Sequence, residues 1–391
     1  MKIDLLRERE NFEEVFTITL KKFFLAKYKK EVNIKWSNFF SSKNILICNS
    51  KLNLIYSPSI DRKFLQIYAS EYAYHPFILR KILQNLFVKL STSKFFAFFF
   101  ATKKLSINPW FKEFDDLCII PGNSKIRILD QNKRCCYVIL KEGYEKNRFY
   151  LEINLRKKND LIISPKLLED FQNLNYYTEE LINALPINRT DNNSIRERAI
   201  EEVGSVLVRL YEKTFKTLKA ETYLKEIYDN SKEIIFDLPN IYLHHERENI
   251  IEIINIIYNS IDFSIDDDFI VAQSHGDLQD ANILFNKENT YLIDWEFSSY
   301  RSIFYDYIVY RTMARSSKNF SNRVMNFLYK EEDKNFWQNG ITSRQICKND
   351  VMIFLIEDFY LKLRELNTKS PYHKKNEDFM NWQKEYKRIF S

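Results

Sequence analysis

The sequence predicts a two-lobe α+β fold, a short β-rich unit followed by a mainly helical one with a small hairpin set inside it. Three observations predict this. Between Leu117 and Ile182, strand-type runs alternate with turn clusters. From Ser194 onward the apolar spacing is chiefly helical. Within that helical part, short apolar runs flank His275-Gly276-Asp277-Leu278-Gln279-Asp280-Ala281-Asn282 and Ile293-Asp294-Trp295-Glu296.

The N-terminal region, up to about Trp110, opens on Phe12, Phe16, Leu20 and Phe24 at helical spacing. Strand-like runs follow at Ile45–Cys48 and Leu52–Tyr56, and a helical segment runs from about Pro76 to Leu90. Phe95-Phe96-Ala97-Phe98-Phe99-Phe100-Ala101 is the most apolar run of the chain. It is far shorter than the roughly 20 residues a spanning helix needs, so no transmembrane segment is expected. The run reads as buried core. The alternative is a peripheral membrane contact through the phenylalanines and the flanking Lys94, Lys103 and Lys104. Nothing in this region forms a catalytic constellation.

Leu117 to Asp130 reads as two strands around the turn Pro121-Gly122-Asn123-Ser124. Cys136 to Lys141 is a strand ending in lysine, and Leu151 and Leu155 give the next segment, with Glu152, a helical spacing. Pro165–Phe171 and Asn175–Ile182 read as two further strands. A polar stretch, Asn188 to Asn193, precedes Ser194-Ile195-Arg196-Glu197, which reads as a capping box. Val203, Leu207, Leu210, Tyr211 and Leu218 would give the helix that follows one buried face. These changes set soft boundaries: residues 1–110 as an extension, 111–183 as the β-rich lobe and 184–391 as the helical lobe.

Asp277, Asn282 and Asp294 fall at the ends of the small hairpin. A carboxylate, a carboxamide and a second carboxylate in that order are what phosphoryl transfer from a magnesium-nucleotide needs. Mg²⁺ takes oxygen ligands and keeps several waters, so an amide oxygen, a carboxylate and phosphates form a suitable set. Any one of these residues alone reads as an ordinary turn residue; the ordered set carries the chemistry.

The stretch resembles the catalytic and metal-binding loops of the aminoglycoside phosphotransferase and choline kinase superfamily. Their pattern is His-x-Asp, four residues, Asn, then Ile-Asp-(Phe/Trp)-Glu. The resemblance implies a protein-kinase-like bilobal fold and use of ATP and Mg²⁺. It implies Asp277 as the catalytic base, Asn282 and Asp294 as metal ligands, and His275 as a residue holding the loop. Ser298-Ser299-Tyr300 and Tyr305-Asp306-Tyr307 resemble the choline and ethanolamine kinases, which makes Asp306 a brace for the catalytic loop. By the same resemblance Gly122 lies in the phosphate loop, Lys141 contacts phosphates and is oriented by Glu152, and the hinge near Glu179 to Leu181 reads adenine. Glu296 stands where a protein kinase has Gly, which favours a small-molecule kinase.

Hydrophobic content of 45% and aromatic content of 16% exclude a disordered chain, and a net charge of +6 does not demand nucleic acid. The five cysteines form no CxxC pair, so neither a zinc site nor a disulfide framework is indicated. The N-terminal residues lack a signal-peptide core, which reads as cytoplasmic. The adjacent His244 and His245 point to different sides of any regular element and suggest no metal site. For the acceptor, the Leu278-Gln279 pair favours an amino alcohol, with Trp337, Tyr360, Tyr372 and Trp382 as candidates for an aromatic cage. The Asp294-Trp295-Glu296 motif favours a sugar precursor of a surface polysaccharide. An aminoglycoside-type phosphotransferase and a catalytically inactive kinase-like scaffold are the alternatives.

Overall fold

The structure, a computed structural model, describes residues 2–37, 44–75, 77–190, 192–238, 244–263, 268–286, 288–330, 340–368 and 370–391. The chain opens with α1 (Ile3–Arg9), α2 (Phe12–Tyr28), β1 (Asn33–Ser37), β2 (Ile45–Asn49) and β3 (Leu54–Tyr56). Next come α3 (Arg62–Ala69), α4 (Ile78–Ser91), β4 (Lys103–Asn108), β5 (Leu117–Pro121), β6 (Lys125–Asp130) and β7 (Cys135–Leu140). Helix α5 (Lys146–Lys158) leads to β8 (Leu167–Phe171) and β9 (Tyr176–Glu180). The second half holds β10 (Leu185–Pro186), α6 (Asn193–Thr214), β11 (Lys216–Lys219), α7 (Ala220–Asp237), α8 (His244–Asn259) and β12 (Asp268–Ser274). It ends with β13 (Ile283–Phe285), β14 (Thr290–Leu292), β15 (Ser299–Ser302), α9 (Tyr305–Thr312), α10 (Phe320–Tyr329), α11 (Lys348–Asn367) and α12 (Lys375–Ile389).

Nine strands form one antiparallel sheet in the order β1-β4-β2-β3-β5-β6-β7-β9-β8. The sheet runs across residue 110 without a break, because β3 pairs with β5 through Ile55 and Ile119. The N-terminal region and the β-rich lobe therefore share one layer. Side chains alternate across it with period two. Ile126 and Ile128 of β6 and Tyr137 and Ile139 of β7 pack with Phe12, Phe16, Leu20 and Phe23 of α2. Leu129 of β6 and Cys136, Val138 and Leu140 of β7 pack on the other face with Phe149 and Ile153 of α5. The helical half has its own core, in which residues of α6, α8 and α11 share one cluster with the buried Trp295.

Three local expectations are corrected. Helix α6 is capped by Asn192, whose Oδ1 accepts from the Ile195 N–H at 3.3 Å, so Ser194 lies inside the first turn. That helix stops at Thr214, and Leu218 sits on the exposed strand β11, which pairs with β12 instead of extending the helical face. The phenylalanine run is not a core segment. It forms turns between α4 and β4 that bury Ala97 and leave Phe95 and Phe99 more than four-fifths exposed.

The α2 face of the sheet carries a buried charged pair. Lys141 follows β7 on the same side as Tyr137 and Ile139. Its Nζ meets the Glu10 carboxylate and donates to the carbonyls of Gly122 (3.2 Å) and Asn123 (2.6 Å). Both side chains of the pair are fully buried. Burial pulls the lysine below its usual pKa and Glu10 pulls it back up. Tyr144 also donates to Glu10, at 2.7 Å. A buried charge left without its partner is costly, so Glu10→Ala should destabilise the fold by about 3 kcal/mol or more. Lys22→Ala, which breaks the exposed pair with Glu142, should cost less than about 1 kcal/mol. Urea denaturation of both variants measures the contrast.

Candidate active site

A cleft of about 750 Å³ separates the sheet with α5 from the helical half. Strand β12 ends at Ser274, and the turn that follows can only be made by glycine. Gly276 has φ +87°, and a Cβ there would come within 2.2 Å of the Phe297 carbonyl oxygen. The turn is held from below. Asp306, fully buried on α9, accepts from the His275 N–H (2.7 Å), the Gly276 N–H (2.8 Å) and the Tyr211 hydroxyl (2.8 Å). His275 is buried, lies edge-on to Trp295, and its Nε2 is 2.9 Å from the Ile293 carbonyl. It thus ties the turn to the strand that delivers Asp294.

Asp277 projects into the cleft from this turn. Arg315 Nε lies 2.9 Å from its Oδ1, and the Gln279 amide donates to both of its oxygens at 3.0–3.1 Å. Asn282 donates from Nδ2 to the Asp277 carbonyl and to its Oδ2, each at 2.8 Å. This turns the amide oxygen of Asn282 away from Asp277. Asp294 follows β14 in the left-handed conformation (φ 64°, ψ 56°). The backbone kink aims its carboxylate across the cleft rather than along the strand.

Opposite Asp294 stand two cations from β6. Arg127 Nη2 lies 2.9 Å and Lys125 Nζ 3.3 Å from Asp294 Oδ1. Lys125 also meets Glu152 of α5 at 2.6 Å and Glu296 at 3.2 Å. Burial raises the Asp294 carboxyl, but Arg127 and Lys125 outweigh it and hold it well below the usual range. Burial pushes Glu296 up, and the neighbouring Asp294 adds to this. Ser124, at the tip of the β5–β6 turn, donates to Glu296 at 3.2 Å, so the turn bends over the same spot.

The anticipated pair of Lys141 with Glu152 does not form. Strand parity is the reason. Lys141 belongs to the α2 face and Glu152 to the opposite one. Opposite Lys125 and Arg127, β7 offers Leu140 and Val138. The basic residues on the cleft face therefore sit one strand earlier, in Lys125-Ile126-Arg127-Ile128-Leu129. The alternation of that segment was a usable signal, with two cations on the side of Leu129 and two isoleucines on the other. Gly122, Glu179, Leu181, Asp277, Asn282 and Asp294 line the cleft, whereas Lys141, Glu152, His275 and Asp306 stand behind it. Glu179 is paired with Arg156 at 2.9 Å, and the Leu181 N–H bonds the Arg134 carbonyl at 3.1 Å. The salt bridge engages only the Glu179 side chain, whereas the adenine-reading role was expected of backbone groups, of which the Leu181 N–H is already bonded.

Sequence reasoning also missed residues far from the hairpin. Arg315 bridges Asp277 to Asp358, which is fully buried on α11. Lys362 pairs with the same Asp358, and its Nζ stands 3.9 Å from the Trp382 ring centroid, with Phe320 and Tyr386 within 6 Å. Burial lowers Lys362 to about 8, with Asp358 opposing the shift. Of the residues considered for an aromatic cage, Trp382 and Tyr372 line the cleft, Tyr360 does not, and Trp337 lies outside the described residues. The N-terminal region also reaches the cleft through Arg9, Glu10 and Tyr68.

An antiparallel sheet with one helix lies above the cleft, and a helical lobe carries Asp277, Asn282 and Asp294 below it. The architecture is bilobal and α+β, a sheet-bearing half over a helical half. Solved structures of small-molecule kinases are similar to it. A choline kinase from Streptococcus pneumoniae shares 13% identity over 69% of this chain and 90% of its own, with a TM-score of 0.44. A Plasmodium vivax ethanolamine kinase shares 17% over 71% and 83%, with a TM-score of 0.45. A thermostable mutant of an aminoglycoside phosphotransferase shares 10% over 70% and 92%, with a TM-score of 0.44. No family model and no curated protein matches the sequence.

Removing a cation that faces the cleft should affect nucleotide binding more than removing one behind it. Lys125→Ala should weaken binding of a nucleotide by roughly tenfold or more, the scale of a lost charge-assisted contact. Lys141→Ala should act mainly on stability. Isothermal titration with a non-hydrolysable nucleotide, beside thermal melts, separates the two. Equal losses of affinity would return Lys141 to the phosphate site.

Proposed function

We propose that the protein is an ATP-dependent phosphotransferase acting on a hydroxyl of a small molecule. One observation carries this reading: Asp277, Asn282 and Asp294 converge on one end of a cleft whose opposite wall supplies Lys125 and Arg127. In the proposed reaction the acceptor oxygen bonds to the γ-phosphorus as the bond from that phosphorus to the β,γ-bridging oxygen breaks. Asp277 accepts the hydroxyl proton, held in position by Arg315 and Gln279. Lys125 and Arg127 hold phosphate oxygens, and the Ser124 turn covers them. Asp294 and the amide oxygen of Asn282 fit Mg²⁺, since both are hard oxygen donors. The metal would supply charge neutralisation for the phosphates.

The acceptor end favours a sugar-like hydroxyl over a quaternary amino alcohol. An aromatic cluster lined by Trp382 is present, but the ammonium of Lys362 already occupies its face and the carboxylate of Asp358 already pairs with it. A substrate cation would meet a cation there. The intact set of polar residues also speaks against an inactive scaffold, because their burial and pairing are costly for a fold that makes no use of them.

Asp277→Asn should keep nucleotide affinity within a few-fold and reduce transfer by roughly a hundredfold to ten-thousandfold, the span of general-base catalysis. A coupled ADP assay over sugars, amino alcohols and aminoglycosides, run beside nucleotide titration, measures both. If affinity and transfer fall together, Asp277 is a nucleotide ligand and not the base. Stimulation by sugars but not by choline is the expected pattern.

A further inference from the structure

Helix α4 is built inside out. An amphipathic helix on a folded domain turns its apolar stripe to the core. In α4 the stripe of Ile78, Leu79, Ile82, Leu83 and Leu86 faces away from the protein, each residue between 53% and 75% exposed. The side that packs inward offers only Val88 and Ser91 as fully buried residues. The phenylalanine run lies beside it. Phe95 and Phe99 are 82% and 81% exposed, while Ala97 shares a buried cluster with Val88. Phe87 and Phe100 meet edge-on at 5.2 Å, which holds the two segments together. The result is a broad apolar face, of a kind that marks an interaction site on a soluble domain.

The charge around this face selects its partner. Residues 77–104 contain six basic residues (Arg80, Lys81, Lys89, Lys94, Lys103 and Lys104) and no Asp or Glu. Lys103 is paired with Glu13 and Lys104 is buried; Lys89 and Lys94, both exposed, stand beside the apolar stripe, and Arg80 lies against His75. A second copy docked on the same face would press two basic rims together. We propose that this face docks onto an anionic lipid bilayer. Apolar and aromatic side chains would enter the interface, and the rim would meet the lipid headgroups. Helix α4 has 14 residues. At about 1.5 Å per residue it is too short to span a bilayer and would lie in its plane. Among the described residues no helix is long and apolar enough to cross a membrane.

The full chain can be sedimented with large vesicles of phosphatidylcholine alone and of an equimolar mixture with phosphatidylserine, with light scattering of the same sample. The expected result is a monomer that partitions onto the mixed vesicles, less onto the neutral ones, and less again at high salt. Phe95→Ser with Phe99→Ser, and separately Leu79→Ser with Leu83→Ser, should each cut partitioning by roughly tenfold or more, since buried apolar area sets interfacial affinity. These residues are exposed, so far-ultraviolet circular dichroism should be unchanged. Lys89→Glu with Lys94→Glu should remove the preference for the anionic lipid. Absence of partitioning by the unaltered chain overturns the proposal, as does equal binding to both vesicle types that ignores the charge reversal. A concentration-dependent dimer abolished by the serine variants also overturns it, by assigning the face to a second copy.

Discussion

The site depends on a single ammonium group. Lys125 is 3% exposed and is met by carboxylates from three elements: Glu152 on α5, Asp294 after β14, and Glu296 in the turn beyond. It is the point at which the sheet, its helix and the helical lobe agree on one geometry. Desolvation works against a buried lysine, but three anions reverse that and keep it charged. Arg127 adds a second cation. Even so, the anions outnumber the cations at the centre of the cluster. Such a spot favours a further cation, and the two basic residues favour phosphate. A nucleotide with its metal would meet both demands together, and the present ion pairs to Asp294 would be shared with it.

The lower wall follows the same logic with different charges. The turn bearing Asp277 is anchored by the buried His275 and Leu278, while Asp277 itself faces the cleft. Buried carboxylates fix it from behind: Asp306 through two backbone N–H groups, and Asp358 through Arg315. Helices α9 and α11 thus act as rigid supports for a loop whose own sequence is polar. Glycine at position 276 allows the chain to pass under the Phe297 carbonyl, which brings the two loops of the hairpin into contact. Precision at the cleft comes from groups that never face it.

The hairpin was legible because its polar residues are close in sequence and bounded by apolar runs. Helix α2 was legible from four aromatic or aliphatic residues at one spacing. The lysine was misplaced because the reading used its position at a strand end and ignored which face it takes. A shift of one residue changes faces in a strand, so Lys141 and Leu140 have opposite surroundings. Arg315 was invisible because its partners Asp277 and Asp358 lie far off in sequence. Asp358 and Lys362 are one helical turn apart, but that spacing does not say that the pair is buried and joined to the catalytic turn. Helix α4 shows a different limit. It reads in the sequence as a helical segment from about Pro76 to Leu90, but periodicity does not say whether an apolar stripe points inward or out.

The buried pairing of Glu10 with Lys141 belongs to a wider meeting of distant chain segments. Arg9 O accepts from the His373 N–H at 2.9 Å, His373 Nε2 lies 3.0 Å from Glu8 O, and the Arg9 guanidinium stacks on Tyr372. One of these contacts joins residues 365 positions apart. During synthesis, α1 must therefore wait for the segment at Tyr372 and His373 before this wall of the cleft can close. Contacts of such long range form late and slowly. A chain halted at the end of α11 would hold its sheet and most of its helices while this wall of the cleft stayed unmade.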